Sequence, residues 1–363
     1  MRALDLCAGA GGLSLGLLRA GFDVLGIELD ADAIDTHRRH VGPCEAADLR
    51  TYHPDEQRDL TAGGVPCQPF SAAGLGLGLD DPRYLVPDFL RIAREAGSRA
   101  VLLENVRGLV LKPKAFRAVL DAFEAEWLTT WTVVDAADFG VPQHRDRLFV
   151  VGFKDAAARA RFRWPQPTHA PPGSLFGAPY RTVREALSLG DAPRAAGRID
   201  GASGWQGQRL IDVDAPGFAI GTRNNADLLD RPAPCVTATE QKSAMSGSLT
   251  AGGTEGGGGA EPIANRDQRR ELHDAIEAAG LADRPGTTIS TGPMLSKAGH
   301  HDRQQNGAVR LSVEQCALLQ GFPAGWTWTG NKGSQHRQVG NAVPPALAEA
   351  MGRAVRRALG GEG

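Results

Sequence analysis

The chain has 363 residues, long enough for two domains with substantial cores, and its apolar (42%) and charged (23%) fractions are ordinary for a globular protein. No apolar run approaches the roughly 18 to 20 residues that span a bilayer, and Asp5 interrupts the N-terminus where an export signal would stay apolar. The cysteines Cys7, Cys44, Cys67, Cys235 and Cys316 are odd in number and scattered, which argues against a disulfide framework or a zinc site and fits a reducing cytosol. The net charge of −2 leaves a nucleic-acid partner open, because an electrostatic footprint is a local patch. From Lys297 to Pro345 five Lys or Arg face two acids, with three histidines beside them, but such stretches are usually only solvated surface.

In chain order, Ala3 to Cys7 reads as a short buried strand running into Ala8-Gly9-Ala10-Gly11-Gly12 and then a helical pattern from Leu13 to Ala20. Strand, glycine turn, helix is the setting in which backbone can approach a ligand at a helix N-terminus. A second strand, Phe22 to Ile27, ends at Glu28, well placed to accept hydrogen bonds from ribose hydroxyls, and Asp48 closes the next unit. The glycine run is shorter than the dinucleotide fingerprint. Acids around it (Asp5 among them) would repel a pyrophosphate and suit a cationic ligand such as S-adenosylmethionine. A packing turn is the plainer alternative.

Leu60 to Ala62 reads as a strand stub that opens into Gly63-Gly64-Val65-Pro66-Cys67-Gln68-Pro69-Phe70-Ser71. Two glycines and two prolines around one cysteine fix a tight turn at a strand end and hold the thiol clear of regular structure. A structural loop cysteine is as common, but this thiol sits where open α/β sheets bind ligands. The segment Ala72 to Asp81, with three glycines, is a candidate to close over a bound base. Arg99 to Val106 reads as an apolar strand ending in a carboxylate, so Glu104 is expected to share the mouth with Cys67 and Glu28. Lys112 to Glu126 reads as a helix with Phe116, Val119, Leu120 and Phe123 on one face. In Gln143-His144-Arg145-Asp146-Arg147, two arginines at spacing two enter the strand Leu148 to Phe153 on one face. They could grip a base carbonyl or a phosphate, or merely pair with Asp146 at the surface.

Composition shifts at Trp164-Pro165, and from there to about residue 310 periodicity is poor and glycine frequent, with six glycines from Gly252 to Gly259. This reads as a loop-rich domain carrying specificity. Order returns where Ser312 to Gln315 matches a capping box. His336 to Pro345 reads as a turn into a last helix, Ala346 to Ala358.

Taken together, the ordered motifs resemble those of the DNA (cytosine-5) methyltransferases, bacterial restriction-modification type. Asp5 to Gly12 is similar to the family's cofactor loop, Pro66-Cys67-Gln68 to its nucleophile motif, Glu104-Asn105-Val106 to its Glu-Asn-Val, and Gln143-x-Arg145-x-Arg147 to its Gln-x-Arg-x-Arg. Arg310 to Pro323 and Gly340-Asn341-x-Val343 resemble its two last conserved segments. The resemblance implies a Rossmann-like α/β methyltransferase sheet formed by residues 1–165 and completed by 325–363, with a smaller target-recognition domain at 166–324. It implies S-adenosylmethionine and no metal. The cofactor would be held by Asp5, Cys7, Gly9, Ala10, Gly11, Gly12, Leu29, Leu49, Pro66, Asn341 and Val343, with Glu28 on the ribose and Asp48 on the adenine amine. Cys7 stands where the family usually has Phe, so weaker cofactor binding is expected. The implied chemistry is methyl transfer to C5 of a flipped-out cytosine in a short duplex DNA site through a covalent Cys67–C6 adduct. Glu104 and Arg147 would hold the base, and Arg145 would brace the catalytic loop or a phosphate. The implied enzyme is a cytoplasmic monomer, nucleoid-associated on DNA and away from membranes, with a separate restriction endonuclease as a possible companion. A tRNA cytosine methyltransferase, a non-catalytic methyltransferase scaffold and an NAD-dependent oxidoreductase are the rival readings.

Overall fold

The computed structural model describes residues 1–66, 84–171, 173–187 and 312–361. Cys67, the segment Ala72 to Asp81 and the glycine-rich run Gly252 to Gly259 lie outside the described residues, as does most of the loop-rich region. The first half alternates strand and helix. β1 (Arg2–Leu6) leads to α1 (Gly12–Arg19), β2 (Asp23–Glu28) to α2 (Ala31–His40), and then come β3 (Cys44–Ala46) and β4 (Leu60–Gly63). α3 (Val86–Glu95), β5 (Ala100–Val106) and α4 (Pro113–Glu124) follow, then the antiparallel pair β6 (Leu128–Asp135) and β7 (Asp146–Phe153) and the short helix α5 (Ala156–Arg161). A two-stranded piece, β8 (His169–Ala170) with β9 (Ala178–Pro179), precedes α6 (Val183–Ala186). After residue 311 come α7 (Val313–Leu319), α8 (Lys332–Asn341) and α9 (Pro345–Ala358).

Seven strands form one sheet in the order β3-β2-β1-β4-β5-β7-β6. The first five are parallel, and β7 runs antiparallel to both β5 and β6. Period-two alternation divides the side chains between two helical layers. Ala3, Phe149 and Val151 pack with Leu17, Leu347, Met351 and Val355 of α1 and α9. Leu4, Leu6, Leu103 and Val150 pack with Phe89, Ile92, Phe116 and Phe123 of α3 and α4. The C-terminal helix thus covers the same face as the first helix. A third cluster ties α7 and α8 to the N-terminal loop, with Val313, Cys316, Phe322, Trp326, Trp328 and Val339 against Ala10 and Leu15. Among the described residues no helix is long and apolar enough to cross a membrane.

The expected elements are found within one or two residues of their expected ends, and three details are informative. β5 does not end at its carboxylate. Its ladder with β7 continues to the pair Val106 and Arg147, so Glu104 is a strand residue with a fixed orientation. Part of the span read as a turn, 336–341, belongs to α8, a helix whose sequence is neither apolar nor rich in helix formers. It is held by the Asn331 cap on Ser334 N–H and by Gln335 and Gln338 donating to the carbonyls of Trp328, Gly330 and Thr329. The capping box on α7 forms as expected, with Ser312 and Gln315 bonding each other's backbone.

Candidate active site

The sheet reverses direction of connection at β1, whose neighbours are β2 on one side and β4 on the other, and ligands of open α/β sheets bind at such a point. Two loops leave side by side there, because Leu6 pairs with Gly63 in the last register of β1 and β4. The first is the glycine loop. Its turn is tight enough that Cys7 takes φ 58°, the one positive-φ residue other than glycine among the described residues. Gly11 sits at φ 91°, where a Cβ would also meet Val41 at 2.6 Å. A Cβ on Gly12 would lie 2.3 Å from the carbonyl oxygen of Val343, so the turn Asn341 to Val343 is seated directly on the loop.

Glu28 anchors this loop. Its Oε2 accepts the Gly9 N–H at 2.8 Å, while Oε1 accepts those of Leu29 and Asp30 at 2.7 and 2.9 Å. Leu29 is 66% exposed beside it, an apolar surface at the rim, whereas Leu49 is buried. Asp48 faces Arg50, whose Nε lies 2.9 and 3.1 Å from its two carboxyl oxygens, and that hydrogen bonding lowers its pKa to about 2. Asp5 does not line the rim. It is fully buried beneath the loop with its Oδ2 2.6 Å from Ser14 Oγ, and burial pushes its pKa up to about 7. Of the three acids, Glu28 and Asp48 are the partly exposed ones. Burial, followed by the nearby Glu28, Asp5 and Asp48, pushes the Cys7 thiol well above its usual range, which favours the neutral thiol over the thiolate. A Cβ on Gly9 would meet nothing within 4 Å among the described residues, so the loop is open on that side. That cradle fits a nucleoside with a cationic amino-acid tail.

The second loop, Gly64 to Pro66, leads directly into Cys67. Val65 is buried, and Asn105 Nδ2 donates to its carbonyl at 3.4 Å while Asn105 Oδ1 accepts Val106 N–H at 2.9 Å. The residue after Glu104 thus holds the backbone that precedes Cys67. A Cβ on Gly64 would lie 3.2 Å from Glu104 Oε2, so the glutamate faces this loop closely. Glu104 is 8% exposed and pairs with Arg147, Nε to Oε1 2.9 Å. Burial raises its pKa, and Arg147 and then Arg145 pull it back only in part. The two arginines do not form a surface pair with Asp146, which is bonded to Arg107 at 2.8 Å.

Arg145 reaches the other way from Arg147. Its Nη2 donates to the carbonyls of Gly340 and Ala342 at 2.9 and 3.0 Å, so it braces the final turn. Gln143 Nε2 donates to Gln320 Oε1 at 2.8 Å, and Gln320 Nε2 donates to Ala342 O at 2.7 Å. This buried set knits α7, the start of β7 and the α8–α9 turn into one support for the loop. Gln320, Ser14 and His37 were not singled out in the sequence. For Ser14 and Gln320 the signal was a polar residue inside an otherwise apolar stretch, as in Gly12-Leu13-Ser14-Leu15-Gly16-Leu17, whereas His37 stands among polar residues and carried no such signal.

Residues 1–357 match the family described as C-5 cytosine-specific DNA methylase. The chain is 34% identical to the Type II methyltransferase M.NaeI of Lentzea aerocolonigenes, over 100% of this chain and 76% of that protein. It is 32% identical to M.NgoMIV of Neisseria gonorrhoeae, over 98% and 97%. Among solved structures it is similar in fold to Entamoeba histolytica methyltransferase EhMeth (TM-score 0.56, 12% identity, 99% of this chain and 98% of that one) and to S. pombe Dnmt2 (0.53, 13%, 99% of each). Glycine loop, buried Glu104–Arg147 pair and braced C-terminal turn thus stand in a chain that belongs to the C-5 cytosine-specific DNA methylase family, and it is a DNA (cytosine-5) methyltransferase.

Proposed function

We propose that the protein methylates C5 of one cytosine in a short duplex DNA sequence, with Cys67 as nucleophile and S-adenosylmethionine as methyl donor. The observation that carries this reading is the buried Glu104–Arg147 pair facing the loop that leads into Cys67. C5 of cytosine is a weak nucleophile until a thiolate adds to C6. Glu104, whose burial favours its protonated form, would donate to ring N3 and accept from the exocyclic amine, neutralising charge that builds on the ring. Arg147, fixed by Glu104, would hold O2. The C6 position cannot be reached inside a duplex, so the base is flipped out at a cost of a few kcal/mol. Bound S-adenosylmethionine supplies an electrophilic methyl group. Glu28, Leu29, Asp48, Leu49, Pro66, Asn341 and Val343 with the 9–12 loop would hold it, and Cys7 offers less surface to the adenine than an aromatic ring. Loss of the C5 proton and of the Cys67 thiol then restores the ring.

The target-recognition domain is assigned to the region within 166–324. Packing of α7 and Phe322 against Ala10 and Leu15 supports drawing its end before Ser312. The similarity to Type II methyltransferases supports a role in a restriction-modification system, with a separate endonuclease acting on the same site in the cytoplasm. A monomer suffices for this chemistry. The test is base-resolution 5-methylcytosine sequencing of DNA from a methylation-free bacterial host expressing the chain, beside Cys67→Ser. Methylation at one short motif, lost in the variant, is expected. Unmodified DNA from soluble, cofactor-binding protein would refute the DNA substrate, and activity retained in Cys67→Ser would refute the nucleophile.

A further inference from the structure

Beneath the glycine loop three fully buried polar side chains lie in series, one each from β1, α1 and α2. Asp5 Oδ2 is 2.6 Å from Ser14 Oγ, Ser14 Oγ is 2.9 Å from His37 Nε2, and His37 Nδ1 is 3.3 Å from the carbonyl oxygen of Gly42. The imidazole is the floor of the loop. A Cβ on Gly11 would lie 3.0 Å from its Cδ2, and one on Gly26 would lie 2.8 Å from its Nε2.

The order of donors follows from what each atom can do. The Gly42 carbonyl can only accept, so Nδ1 carries a proton. In a neutral imidazole Nε2 is then a bare acceptor, and Ser14 must give it the single hydroxyl proton. Ser14 has nothing left to donate, so the short contact to Asp5 requires the proton to sit on Asp5. The other arrangement with every bond satisfied is an Asp5 carboxylate and a His37 imidazolium. Both hold the same number of protons. Burial decides between them in the free protein, since it pushes Asp5 up to about 7 and His37 down to about 4. Hydrogen bonds from Ser14 pull Asp5 down and the Gly42 carbonyl pulls His37 up, but burial outweighs both, helped by Glu28 and Glu104 near Asp5 and by Arg38 beside His37. Asp5 Oδ1 is buried and accepts no side-chain hydrogen bond among the described residues, with the backbone of Ser14 the nearest donor to the carboxyl, so a carboxylate formed here gains most from a cation held by the loop above it.

We propose that Asp5, Ser14 and His37 are a proton relay under the cofactor loop: Asp5 is a neutral acid in the free protein and passes its proton through Ser14 to His37 when a sulfonium cation occupies the loop. The Asp5 O–H bond breaks as a new Ser14 O–H forms, the original Ser14 O–H breaks, and His37 Nε2–H forms. No proton enters or leaves. The loop meets its cation with a carboxylate and is spared a bare buried charge when empty. Ser14 and His37 are positioning residues in this scheme. The second half rests on the S-adenosylmethionine reading.

The test is long-range proton–nitrogen NMR of the full chain labelled at histidine, with His37 assigned by its loss in His37→Gln and by its altered resonance in Ser14→Ala. In the free protein at neutral pH, His37 should carry its proton on Nδ1 alone. Saturation with S-adenosylmethionine should protonate both nitrogens, S-adenosylhomocysteine, which lacks the sulfonium charge, should leave Nε2 bare, and Ser14→Ala should lose the response. An Nε2–H tautomer or an imidazolium in the free protein would overturn the neutral acid. An unchanged His37 with binding verified by calorimetry would overturn the transfer while leaving the cofactor reading intact. Absence of calorimetric binding would remove the cofactor reading and the transfer together, and the free-protein tautomer would still decide where the Asp5 proton lies.

Discussion

Replacing Arg147 by Met takes away the cation that faces a buried carboxylate and leaves Glu104 in place. Both residues are under one-tenth exposed, and breaking a buried pair by removing one partner costs about 3–5 kcal/mol because the remaining charge is uncompensated. The pH dependence is the sharper test. Burial already holds Glu104 above its ordinary value against the pull of Arg147 and Arg145, so losing Arg147 raises it further. An acid with a raised folded pKa binds more protons folded than unfolded. Its penalty is therefore full above the folded pKa and disappears as pH falls to the unfolded value, about 4.3. Each tenfold gain in the proton affinity of the folded carboxyl is worth about 1.4 kcal/mol. Urea midpoints of wild type and Arg147→Met, compared at equal pH from about 8 down to about 5, should show a difference near the top of that range at the alkaline end and a clear shrinkage toward the acid end. A pH-independent difference would refute the argument that Glu104 is the charged partner. A loss below about 1 kcal/mol throughout would mean the pair behaves as a surface salt bridge.

Two further outcomes follow from the support around the loop. Gln143→Leu and Gln320→Leu should each destabilise by about 1–3 kcal/mol, because each removes the buried amide–amide bond and leaves its partner with one hydrogen bond fewer, and the double variant should cost clearly less than their sum; strict additivity in denaturant unfolding would show that the 2.8 Å bond is not energetically coupled. Gly12→Ala should force the Val343 turn off the loop, with a stability loss of about 1–3 kcal/mol from overpacking and at least a tenfold weaker binding of S-adenosylmethionine in calorimetry; unchanged binding would separate that turn from the cofactor site.

Several links were legible in the chain because they depend on local pattern. The apolar run before the glycine loop specified β1, the spacing of Phe116, Val119, Leu120 and Phe123 specified α4, and Ser312 with Gln315 specified the start of α7. The ordered motifs likewise named Glu104, Arg145 and Arg147 before any geometry. The resemblance implied Arg147 at the base and Arg145 as a brace for the catalytic loop or a phosphate, but the protein partner of each arginine was not legible, because spacing two puts both on one face and says nothing about what faces them. Only the antiparallel ladder of β5 with β7 aims Arg147 at Glu104, and only the return of the C-terminal turn gives Arg145 the carbonyls of Gly340 and Ala342.

Local pattern in the chain was enough for the strand–loop–helix order, the glycine loop, the acid at the end of β2 and the family to which the chain belongs. These follow from short-range periodicity and from residue types whose backbone needs are met within a few positions. Tertiary structure alone decided that Asp5 is buried rather than at the rim, that Ser14 and His37 stand beneath the loop, and that residues from 312 to 345 support a site built from the first 150. Burial and partner choice are properties of what the rest of the chain brings to a side chain, and they join residues far apart in the chain, 197 positions for Arg145 and Ala342 and 293 for Thr36 and Thr329.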